Sequence, residues 1–167
     1  KYNTINCPAA HHFNEGRWLH DRVYLNDYAK YWFLDKEAEP RKYSFWAATA
    51  ILSACHTWGD YTLLEELYEP LKENYVAWEQ SHRRECGLFY QIDNCDGMEY
   101  SISGHGLRPT INSYMCADAF ALAEIAERLG KAEDQKYYLE KGEKIRSLIN
   151  EKLWDEKSEF YKNLSEK

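Results

Sequence analysis

Three carboxylates crowd into seven positions of the segment Asp93-Asn94-Cys95-Asp96-Gly97-Met98-Glu99-Tyr100-Ser101. In a partly dehydrated cleft such groups repel one another, and at least one keeps its proton to higher pH. A carboxylic acid still protonated near neutrality is what general acid catalysis requires. The same residues also read as a solvated acidic turn closed by Gly97, and residue types alone favour that plainer reading. A calcium loop does not fit. The EF-hand pattern puts its last acid well beyond the glycine, and here Glu99 follows Gly97 by two positions.

Downstream, Arg108-Pro109-Thr110-Ile111-Asn112-Ser113-Tyr114 has the composition of a helix start. Thr110, Asn112 and Ser113 are capping types, while a helix N-terminus facing a cleft also leaves Arg108 and Asn112 able to bond hydroxyls. A matching approach occurs at Pro40-Arg41-Lys42-Tyr43-Ser44-Phe45-Trp46, again an Arg with rings. The six histidines make no HExxH and no ligand pair at helical spacing, which argues against zinc. GxSxG, P-loop and GxGxxG patterns are missing as well, so no nucleotide or metal cofactor is expected.

These residues sit in a chain of 167, long enough to bury a core without disulfides and short for two domains. Its 21 basic and 28 acidic residues give −7, with the basic ones scattered, which argues against nucleic acid as a partner. No run approaches the apolar length needed to cross a bilayer. Aromatic residues reach 16%, a load suited to wedging between helices or lining a cleft. Five cysteines without CxxC argue against a disulfide framework, although a Cys86–Cys95 bridge stays open. Lys1 reads as a fragment boundary, so compartment is unknown, with the cytoplasm favoured over periplasm or export.

Helical periodicity fills most of the chain. It predicts helices over about Gly16 to Phe33, from Phe45 to Trp58, and from Leu64 to Trp78 with a Thr62-x-x-Glu65 capping box and a bend near Pro70. Two more follow, from Met115 to Leu129 and around Tyr138 to Ile149. Gly59 recurs as Gly130 after 71 positions, and Phe89-Tyr90 recurs as Phe160-Tyr161 after the same 71. Each unit reads inner helix, Gly turn, outer helix, short aromatic strand. The period is far from the tetratricopeptide value of about 34, and long loops before each inner helix suit hairpins arranged in a ring. The expected fold is all-α: αα-hairpin repeats forming part of an (α/α)6 toroid, with short strands between hairpins. At this period 167 residues hold about two and a half hairpins of the roughly 400-residue ring.

Arg41-Lys42-Tyr43-Ser44-Phe45-Trp46-Ala47-Ala48, Asp96-Gly97-Met98-Glu99-Tyr100-Ser101-Ile102-Ser103-Gly104 and Arg108-Pro109-Thr110-Ile111-Asn112-Ser113-Tyr114-Met115 together resemble a bacterial branch of six-hairpin glycosidases. These carry a mannosylglycerate-hydrolase-like domain and are related to trehalases and processing α-glucosidases. The resemblance runs from about Glu15 to Tyr161 and covers the middle of the family's barrel. It implies an inverting glycoside hydrolase. Gly97-Met98-Glu99-Tyr100-Ser101 matches the family's G-x-D-x-S acid motif with Glu for Asp. That makes Glu99 the general acid, with Asp96 tuning it and serving as fallback. No position after Tyr161 matches the family's base. Arg41, Arg108 and Asn112 would bind hydroxyls, Trp18, Tyr43 and Trp46 would stack on the sugar, and Arg17 and Asp21 would reach the mouth.

The partner implied is a carbohydrate, together with the rest of the catalytic domain or another chain to complete the ring. Alone, these residues are expected to be inactive. Two alternatives remain at this stage. A toroid isomerase or epimerase would need a proton-transferring His, and only His105 lies in the right loop. A non-catalytic repeat module would bind carbohydrate or protein without turnover.

Overall fold

A computed structural model describes residues 5–96 and 104–165. Six helices run through them: α1 (Ala9–Gly16), α2 (Val23–Leu34), α3 (Ala47–Trp58), α4 (Thr62–His82), α5 (Pro109–Arg128) and α6 (Ala132–Lys152). After α6 come the short strands β1 (Trp154–Asp155) and β2 (Phe160–Tyr161), paired antiparallel. Glu99 lies outside the described residues.

Inner and outer helices differ in residue type because they differ in surroundings. α3 and α5 are rich in alanine, and Ala48, Ile51, Cys55, Ala119, Leu122 and Ala126 are buried. Small side chains let these backbones approach neighbours on several sides. α4 buries one stripe only, Leu64, Leu67, Leu71, Tyr75 and Trp78, and leaves Glu65, Glu66 and Glu73 in solvent.

The contacts fix the helix directions. Trp46 meets Tyr114 with ring centroids 4.7 Å apart, Thr49 Oγ1 donates to Asp118 at 2.8 Å, and His56 faces Glu124 at 3.0 Å. Partner numbers climb together, so α3 and α5 run parallel. His11 against Trp46 and Arg17 on Ser53 place α1 parallel to α3 in the same way. Outside them, Tyr68 and Lys72 bond Asp134, and Tyr75 packs on Tyr138, so α4 and α6 are also parallel. The described residues thus form three αα-hairpins side by side, α1–α2, α3–α4 and α5–α6, the arrangement of an arc of an (α/α) toroid. The first hairpin has only an eight-residue inner helix.

Gly59 and Gly130 occupy the matched turns with φ of +65° and +69°. There Asp60 N–H reaches back to Cys55 O and Lys131 N–H to Ala126 O, the bonds of a left-handed helix stop. Two local expectations change. The helix expected from Gly16 to Phe33 is two, because the chain reverses after Gly16 and Asp21 Oδ1 caps the start of α2 at Val23 N–H (2.9 Å). The cap of α4 is Asp60, which accepts from both Thr62 N–H and Thr62 Oγ1, so no Thr62 box forms. α4 carries Pro70 in its interior. No helix among the described residues is long and apolar enough to cross a membrane.

Candidate functional site

All three inner helices start at one end of the arc, and the loops that precede α3 and α5 meet there. Asn6, fully buried, clasps the first loop by accepting from Tyr43 N–H (2.9 Å) and donating to Tyr43 O and Pro40 O. Ser44 N–H then donates to Cys95 O at 2.8 Å, which ties the α3 approach to the α5 approach.

The longer loop is a stem with two limbs, 91–96 and 104–108. Gln91 and Gly106 exchange both backbone bonds, at 2.9 and 3.1 Å. Asp93 N–H donates to His105 Nδ1 at 2.8 Å. Arg108 lies across the stem: Nε and Nη2 bond the two oxygens of Asp96 at 2.5 and 3.3 Å, and Nη1 bonds Asp93 Oδ1 at 3.1 Å and Gly104 O. Thr110 Oγ1 donates to Asp96 Oδ2 as well, at 2.5 Å. The Arg108 side chain is 3% exposed and that of Asp96 is 0%. Burial of this charge is tolerated because the planar guanidinium finds a carboxylate on its fork and further acceptors beyond it.

Asn112 is equally occupied. Its Oδ1 accepts from Phe89 N–H at 2.8 Å, and its Nδ2 donates to Phe89 O and Arg108 O at 2.9 and 2.8 Å. Arg108 and Asn112, expected to bind hydroxyls, and Asp96, expected to tune the acid, sit below the surface and hold the backbone that shapes it.

Rings gather at this end beside them. Trp46, half-buried, stands between His11 of α1 (centroids 4.9 Å) and Tyr114 of α5 (4.7 Å). Burial raises the Tyr114 phenol above its ordinary value, with the negative charge of Asp96 adding to the shift. At mouth pH the hydroxyl is therefore a neutral donor and acceptor. His11 and Tyr114 were not among the expected site residues. The repeat carried a signal for the second, since a shift of 71 places Tyr43 on Tyr114.

Other expected residues lie elsewhere. Arg41 is exposed and reaches Asn74 on the outer helix α4 at 3.3 Å. Trp18, 71% exposed, and Asp21 follow α1 at the Gly59 end, where Trp58 Nε1 bonds Arg17 O at 2.9 Å. That is the length of α3 away from the mouth, 12 residues or about 18 Å, and the reason is the parallel course of α1. Tyr43 and Trp46 remain at the mouth. No group of three His, Cys, Asp or Glu among the described residues could hold a metal ion.

Comparison with known proteins supplies the family. No curated protein matches the chain. A solved structure named "Sialidase" superposes with a TM-score of 0.94 and 34% sequence identity, over 99% of this chain and 16% of that one. This chain therefore spans about a sixth of that protein's length. All residues, 1–167, match the family described as Mannosylglycerate hydrolase MGH1-like glycoside hydrolase domain. With three parallel inner helices and a polar loop gathered at their starts, the chain belongs to the MGH1-like glycoside hydrolase domain family.

Proposed function

We propose that this chain contributes the acid side of an inverting glycoside hydrolase, with the sugar seated at the starts of α1, α3 and α5. The observation that carries the reading is the row His11–Trp46–Tyr114, one ring from each of three successive inner helices, beside the stem of the 91–108 loop. An indole face takes the apolar face of a pyranose, and flanking ring nitrogens and hydroxyls fix its orientation.

Glu99 is the acid that protonates the glycosidic oxygen. It occupies the acid position of the G-x-D-x-S pattern, within the seven residues 97–103 that separate the two limbs of the stem in sequence. Asp96 is not a second acid, because both its oxygens are engaged by Arg108 and Thr110. Arg108 and Asn112 act on the backbone rather than on hydroxyls. Tyr43 and Trp46 are the stacking residues, and Trp18, Asp21 and Arg41 have no part in binding.

The three hairpins are part of a six-hairpin ring whose base comes from a later segment. In an inverting enzyme the two carboxyls stand roughly 6.5–9.5 Å apart, which leaves room for a water on the far face of the sugar. These 167 residues alone would then show no turnover. An isomerase is disfavoured, because His105 Nδ1 is occupied by a backbone N–H in the stem. The test is proton NMR of the first product released by the full-length protein from a mannoside. Inversion at the anomeric carbon is expected, and retention, or an isomerised free sugar, would overturn the reading.

A further inference from the structure

The segment that leads into α3 does not cap it. Ser44, the nearest hydroxyl upstream, donates to Cys95 O at 3.2 Å, and the cap position itself holds Trp46, whose side chain makes no cap bond. Ala47 and Ala48 are buried, so water cannot supply the missing acceptor. It comes from the neighbouring inner helix. Thr49 N–H and Thr49 Oγ1 donate to Asp118 Oδ1 at 3.0 and 2.8 Å, and the Ala48 and Ala47 N–H groups are directed at the same carboxyl. Asp118 is buried, and among the described residues all its hydrogen-bond partners lie in the first turn of α3. A carboxylate there also meets the positive end of the helix dipole.

We propose that Asp118 is a positioning residue for the ring row: by capping α3 from α5, it fixes where the Trp46 indole stands against Tyr114. Trp46 has φ −84° and ψ 78°, and Ala47 N–H donates to Phe45 O at 3.1 Å, which makes Trp46 the apex of an inverse γ-turn. One side of that turn is pinned by Ser44 N–H on Cys95 O at 2.8 Å, the other by Thr49 on Asp118. Asp118 and Tyr114 are four residues apart on one face of α5. The helix that carries the second ring thus also carries the anchor of the first, and one helical turn sets their 4.7 Å separation. Without the carboxyl, the first N–H groups of α3 are buried and unpaired, and the turn that presents Trp46 loses its fixed end.

The inference rests on the reading that the Trp46 indole takes the sugar, since that is what makes a helix cap a determinant of binding. Stacking engages substrate and transition state alike, so its loss is read in KM rather than in kcat.

The experiment is a double-mutant cycle between Asp118→Ala and Trp46→Ala in the full-length protein, with two readouts. The first is hydrogen exchange at the Ala48 and Thr49 amides, set against amides inside α6. The second is kcat and KM on a glycoside that the protein cleaves. Asp118→Ala is expected to speed exchange at the two amides at least tenfold while those of α6 stay within twofold. It should raise KM about tenfold and change kcat less than threefold, as Trp46→Ala does, and the double variant should be no worse than either single one. Asp118→Asn, which keeps an acceptor for Thr49 N–H, should recover most of both losses. Unchanged exchange in Asp118→Ala overturns the proposal, and so do KM effects that multiply in the double variant. If Trp46→Ala leaves KM unchanged while Asp118→Ala frees the two amides, the cap stands and the stacking reading falls. Should Asp118→Ala fail to fold, Thr49→Val, which removes the 2.8 Å bond alone, must speed exchange at the same amides and raise KM, with no further rise when Trp46→Ala is added. No change in either readout for Thr49→Val would then overturn the proposal.

Discussion

Phe89-Tyr90 and Phe160-Tyr161 hold the same place in successive repeats, yet Phe89 is 0% exposed and Phe160 69%. Both pairs lie on a short antiparallel turn after an outer helix: Phe89 bridges Arg83, and β2 pairs with β1. The difference is the helix that follows. α5 returns past Phe89 and clasps its N–H and C=O with the Asn112 amide, and among the described residues no inner helix does this for Phe160.

The helix faces tell the same story. Trp46, Thr49, Tyr75 and Glu79 touch Tyr114, Asp118, Tyr138 and Lys141 of the next hairpin. Shifted by 71, those positions become Ala117, Phe120, Arg146 and Asn150, and these line an open groove of about 520 Å³ between α5 and α6. A hairpin in this arc is complete only when its successor is docked, as expected where each repeat buries its neighbour.

The largest test of the comparison is Phe89→Ala against Phe160→Ala in the chain as described. Removing the buried ring is expected to cost about 3–5 kcal/mol, and removing the exposed one less than about 0.5 kcal/mol, by urea unfolding. Similar costs at the two sites would mean that docking of α5 is not what buries the first pair. Next in size, Asn112→Ala leaves the Phe89 N–H and C=O buried without partners, a loss of about 2–3 kcal/mol. Asn112→Asp, which keeps the acceptor but sets a buried carboxylate oxygen against the Phe89 and Arg108 carbonyls, should cost at least as much as Asn112→Ala.

A third prediction concerns pH. Asp118 is buried between α3 and α5, and burial pushes its carboxyl up to about 6 although the N-terminal N–H groups of α3 bond it. The folded chain then holds this proton more tightly than the unfolded chain does. Its contribution to stability is full below the unfolded value near 3.8 and is lost as pH rises through about 6. The parent should weaken between pH 4 and pH 7 in thermal melts, and Asp118→Asn should flatten that slope.

Much of this architecture was legible in the sequence, because glycine stops and aromatic strand pairs recur at one spacing and apolar stripes mark the helices. Gly59 and Gly130 needed only their φ to be certain of the turn. What was not legible is which partner a polar side chain chooses. Asn112 is a capping type and a sugar-binding type, and only the course of the Phe89 strand beside it decides that it serves the backbone. Arg108 is similar: two acids upstream are its partners, not its competitors, because the stem folds them back onto it. Trp18 was misplaced for a different reason. Without the parallel course of α1, nothing in Gly16-Arg17-Trp18 tells which end of the arc follows the glycine.

The smallest expected effects compare the two ends of the arc. Trp46→Ala at the mouth should raise KM for a cleaved glycoside about tenfold, in keeping with loss of one stacking face. Trp18→Ala at the Gly59 end should leave KM within about twofold. Equal effects would return the far end to the binding site.

The central claim, that the loop between Asp96 and Gly104 delivers a proton to the leaving group, is tested most directly by Glu99→Gln in the full-length protein. Rates are measured on a glycoside that the protein cleaves and on the dinitrophenyl glycoside of the same sugar. The account predicts a loss of about 10²–10⁴-fold on the first and much less on the second. An equal loss on both, or full activity on the first, would contradict it.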